Sequence, residues 1–75
     1  MTVVEVLIFQ TDILTHGDLR KIAGQLEQQP GIHRWTVDTE DVDCVLRVVA
    51  SGMVSENTII RLVKDAGFFC NEMPG

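Results

Sequence analysis

Two segments of this chain carry a single apolar stripe at helical spacing, and each stripe must be buried against something the chain itself supplies. Leu19, Ile22, Ala23 and Leu26 fall on one face while Arg20, Lys21, Gln25 and Glu27 take the other, and Ile59, Leu62, Val63 and Ala66 repeat the pattern further on. The remaining segments have strand character. Val3 to Phe9 is nearly continuous in β-branched and aromatic residues, as a central strand would be. From Ile32 to Asp38, Trp35 and Val37 alternate with Arg34, Thr36 and Asp38, the period of a half-buried strand. Cys44 to Ala50 is a third strand, with Leu46 and Val48 on one face and Val45, Arg47 and Val49 on the other. Phe68 to Met73 is long enough for a short last strand ahead of Pro74-Gly75.

Punctuating residues separate these elements. Pro30-Gly31 ends the first helix and turns the chain, the polar run Thr39 to Asp43 makes a hairpin, and Ser51-Gly52 closes the third strand. Ser55 is an N-cap for the second helix, Glu56 complements its dipole, and Gly67 is its C′ residue. The order β-α-β-β-α-β predicts an α+β, ferredoxin-like two-layer fold: a four-stranded antiparallel sheet with both helices on one face. With 75 residues the chain forms one domain, 1–75, and has a single core. Leu19, Ile22, Leu26, Trp35, Val37, Leu46, Val48, Ile59, Leu62 and Val63 are expected in it.

Eleven acidic against six basic residues give a net charge of −5, and the Lys and Arg are scattered, which argues against nucleic acid as a partner. The apolar run at the N-terminus is broken by Glu5 and too short to span a bilayer, so no membrane insertion is expected. Two cysteines far apart in sequence, without a Cys-x-x-Cys, suggest neither a disulfide framework nor a zinc motif, and place the chain in a reducing cytoplasm. No catalytic Ser-His-Asp, Cys-His or paired-carboxylate arrangement is suggested and no glycine-rich phosphate loop is present, so neither an enzyme nor a cofactor is expected.

The intervals between Leu19, Ile22, Leu26, Pro30-Gly31-Ile32, Trp35 with Val37, Cys44 with Leu46, and Ala66-Gly67-Phe68 are similar to those of the heavy-metal-associated domain found in copper chaperones and metal-pumping ATPases. The resemblance covers nearly the whole chain and implies the same fold. It also implies where a metal site would be. Counting back from Ile22, the family's two metal cysteines correspond to Thr15 and Asp18, and its methionine to Ile13. Thr15-His16-Gly17-Asp18 offers a hydroxyl, an imidazole and a carboxylate, which are harder ligands than the two thiolates that soft Cu(I) needs. Thr15 and Asp18 instead have the spacing of a capping-box variant.

Two functions follow. One is a binding module that keeps the fold, has lost the metal cysteines and docks on a protein partner or on itself. A homodimer through the helix-free sheet face is one form of this, because Val45, Val49 and the first strand make that face apolar. The other is a metal-ion-binding or metal-transport accessory protein with an altered site built from His16, Asp18 and Cys70, the last being the one sulfur that the resemblance puts beside the loop. His33 begins the second strand, at the far end of the fold from His16, and Cys44 occupies a core position of the family.

Overall fold

Residues 3–73 are described by a computed structural model, in the order β1 (Val4–Thr11), α1 (His16–Leu26), β2 (Ile32–Asp38), β3 (Val45–Ser51), α2 (Glu56–Asp65) and β4 (Cys70–Glu72). Pro74 and Gly75, expected to follow the last strand, lie outside the described residues. The four strands lie in the order β2-β3-β1-β4 with every neighbouring pair antiparallel, the α+β ferredoxin-like arrangement.

Period two on the sheet decides which side chains meet the helices. On β1 these are Leu7, Phe9 and Thr11, and on β3 Leu46, Val48 and Ala50. The apolar members form one cluster with Ile22 and Leu26 of α1 and Ile59 and Val63 of α2. A fully buried side chain of this size contributes roughly 1.5–3 kcal/mol, so this layer holds the domain together.

Three expectations need correction, and a fourth feature is new. First, β1 runs on to Thr11 because β4 pairs with its end, Gln10 opposite Asn71 and Thr11 opposite Cys70. Second, β3 begins at Val45, since Cys44 has a positive φ of 43° and belongs to the hairpin. It is half-buried, and its backbone is held by Cys44 N–H to Asp41 O at 2.9 Å and Thr11 Oγ1–H to Cys44 O at 2.6 Å. Third, Leu19, Trp35, Val37 and Leu62 pack against the core without being enclosed by it, Trp35 and Val37 because β2 is an edge strand. Fourth, Ile13 and Val54, both in connections, are buried core residues.

The turn at Gly31 requires glycine: its φ is +93°, and a Cβ there would lie 2.7 Å from Val54 Cγ2. The opposite face of the sheet is covered by no helix among the described residues. Across it run the rows Arg34–Val49–Val6 and Thr36–Arg47–Ile8, with Val4 beside Ser51 at one end and Asp38 beside Val45 at the hairpin end.

Candidate functional site

The segment between β1 and α1 is where the family resemblance puts a metal, so its geometry carries the functional argument. Thr15 is the N-cap of α1 in extended conformation, with φ −100° and ψ 167°. Its Oγ1 accepts from Asp18 N–H at 3.1 Å. Asp18 Oδ2 reaches back and accepts from both Thr15 N–H and Leu14 N–H, each at 3.1 Å. This is a full capping box, and Thr15 and Asp18 are engaged in it with the backbone and with each other. Ile13, at the family's methionine position, is fully buried and anchors the loop from below.

The bonds from Thr15 N–H and Leu14 N–H, and in smaller measure the Thr15 hydroxyl and the charge of Lys21, hold the Asp18 carboxyl below its ordinary value of 3.8 against the opposing effect of desolvation. A carboxylate with a depressed folded-state value adds stability above its ordinary value, and that stability is lost as pH falls through the depressed one. Asp18→Asn is therefore expected to lower the melting temperature at pH 7, with the gap to the parent closing in melts taken progressively below 3.8. Thr15→Ala, which removes the neutral half of the box, is expected to cost about 1 kcal/mol by urea titration at either pH.

The other residues considered as ligands sit apart in environment. His16 is exposed on the first turn of α1. Cys70 is beside the loop, opposite Thr11, where Phe69 N–H donates to Asp12 Oδ1 at 2.9 Å and pins the start of β4. Its side chain points into the core and is 3% exposed. Burial pushes its thiol up to about 11, with Lys64 opposing slightly, so it is a neutral thiol at pH 7. His33 lies in a bulge at the start of β2, the end of the sheet away from the loop. Among the described residues no group of three or more His, Cys, Asp or Glu is placed to hold a metal ion. The donor set at Thr15 and Asp18 does not suit Cu(I).

A second polar feature lies at the other end of α2, in a cleft lined by Glu5, Glu56 and Glu72. Glu56 Oε2 is shielded from solvent and has no hydrogen-bond partner among the described residues. Two ionised carboxylates can only accept, so Glu56 and Glu72 bond only when one takes a proton. Hydrogen bonding to the Glu72 carboxylate, open to Glu56 only in its protonated form, then desolvation and the charges of Glu72 and Glu5, raise the Glu56 carboxyl above its ordinary 4.5. A raised acid costs stability above its folded-state value and regains it as pH falls. Glu72→Gln is expected to raise the melting temperature at pH 7, and the gain to shrink as pH approaches 4.5.

The sequence signalled the cap through Thr15 and Asp18 but gave no sign of Asp12, whose partner Phe69 is 57 residues away. No helix among the described residues is long and apolar enough to cross a membrane.

The chain shares this architecture with several domains of known structure. It superposes on a yeast copper transporter domain, CCC2A, with a TM-score of 0.79 at 18% identity, over 92% of this chain and 94% of that one. The CsoZ metallochaperone gives 0.76 at 16% identity, over 91% and 97%, and a ZiaAN sub mutant 0.74 at 21%, over 93% and 99%. At these identities the likeness establishes the fold alone, an α+β ferredoxin-like domain. No protein-family model matches the sequence, and no curated protein matches it.

Proposed function

We propose that this chain is a non-enzymatic binding module of the heavy-metal-associated fold in which the metal loop is closed by its own capping box, and which acts in the reducing cytoplasm through contact with another protein or a second copy. The single observation that carries this is the engagement of Thr15 and Asp18, at the family's two metal positions, in three hydrogen bonds of 3.1 Å. The structural relatives, named as a metallochaperone and a copper transporter domain, connect the fold with metal handling.

The alternative, a metal-transport accessory protein using His16, Asp18 and Cys70, requires Asp18 to leave the cap and Cys70 to turn out of the core and lose its proton. Zn(II) titration followed through the His16 and Asp18 NMR resonances decides between them. The proposal expects both sets of resonances to stay in place at equimolar metal. Saturable shifts at micromolar Zn(II) would favour the altered site.

A further inference from the structure

We infer that the helix-free face of the sheet is a docking site for an acidic protein surface with an apolar centre. This rests on the reading that the chain works through a protein contact, and it names the surface and the chemistry of the partner.

A solvated sheet face normally alternates to polar residues. Here the central strand does the reverse: Val4 and Val6 are each 54% exposed, and Ile8 and Val49 continue the apolar patch. Arg34 stands beside Val49 and Arg47 beside Ile8, so the patch is flanked by two exposed guanidinium groups. On a chain of net charge −5, two of the six basic side chains border the apolar patch on this face. The face's carboxylates, Asp38 and Asp43, lie at the hairpin end, where Gln10 Nε2–H donates to Asp43 Oδ1 at 2.8 Å. An apolar patch bordered by arginine matches the composition of interface centres, and the charge pattern selects a partner with carboxylates around its own apolar patch.

A second copy of this chain fits less well. Laying two copies face to face so that Arg34 of each meets Asp38 of the other puts the two-fold axis through Thr36 and its neighbour Arg47. The two Arg47 side chains then face each other across the axis, and like charges so placed oppose association.

The test uses a helical peptide with leucine on one face and glutamate along both flanks, with its lysine-for-glutamate counterpart as control. Each is titrated into the isotope-labelled chain at low salt and again at physiological salt, where the Debye length is about 8 Å. The acidic peptide is expected to shift the Val6, Ile8, Arg47 and Val49 amides and to weaken with salt, and the basic peptide to leave them in place. Arg34→Glu with Arg47→Glu should weaken the acidic peptide by about tenfold or more, and Arg20→Glu with Lys21→Glu on α1 should not. The inference is overturned by absence of binding, by shifts on the helices or the loop, or by equal binding of both peptides. A concentration-dependent dimer in sedimentation that Val6→Glu abolishes would assign the face to a second copy instead. None of these titrations contains a metal ion, so failure here is separate from the Zn(II)-dependent shifts that would overturn the proposed function.

Discussion

Phe9→Ala is expected to leave the domain largely unfolded under conditions where the parent is folded. Phe9 sits on the central strand, is 0% exposed, and is the largest of the fully buried side chains. Removing a buried phenylalanine costs about 3–5 kcal/mol, from lost transfer energy and from the cavity that remains. Small domains have total stabilities near the lower end of about 5–15 kcal/mol, so the substitution removes most of it. Urea titration followed by circular dichroism is the measurement, and a midpoint close to that of the parent would show that the core is not centred on Phe9. Trp35, the largest residue expected in the core from sequence, stands on the edge strand with one side toward solvent, and Trp35→Ala is expected to cost less than Phe9→Ala.

That reversal shows what the sequence could and could not reveal. The alternation on Ile32 to Asp38 and on Cys44 to Ala50 fixes which side chains share a face, and the paired register of Trp35 with Val48 and Val37 with Leu46 follows it. Strand order decides how deep a face is buried, and alternation carries no information about order, so Trp35 could not be told from an interior residue. The cap was legible because Thr15 and Asp18 interact over three residues of chain. The tie from Asp12 to Phe69 and the cluster of Glu5, Glu56 and Glu72 were not, because each depends on residues brought together only by the fold. The apolar side of the third strand at Val45 and Val49 was visible, but its pairing with Val6 and the flanking of the patch by Arg34 and Arg47 needed the register.

The largest change of function is expected from Thr15→Cys combined with Asp18→Cys. Each side chain already reaches the other residue's backbone at the start of α1, Thr15 Oγ1 lying 3.1 Å from the Asp18 nitrogen and Asp18 Oδ2 3.1 Å from the Thr15 nitrogen, so the backbone brings both positions close to one another. Two thiolates there supply the soft donors that Cu(I) requires, and the N-terminus of α1 favours the thiolate form. Without metal the variant loses the capping box and is expected to be less stable than the parent by about 1–2 kcal/mol. Cu(I), binding the folded state, should restore that loss in proportion to its free concentration.

The most direct measurement is a competition for Cu(I) against a chromophoric chelator, run in parallel on the parent and on the doubly substituted chain. If the capping box of Thr15 and Asp18 has replaced the metal site, the parent leaves the chelator's absorbance unchanged and the variant withdraws one equivalent of copper. Equal withdrawal by both proteins would contradict the account, since it would mean that the parent holds the ion with residues other than these.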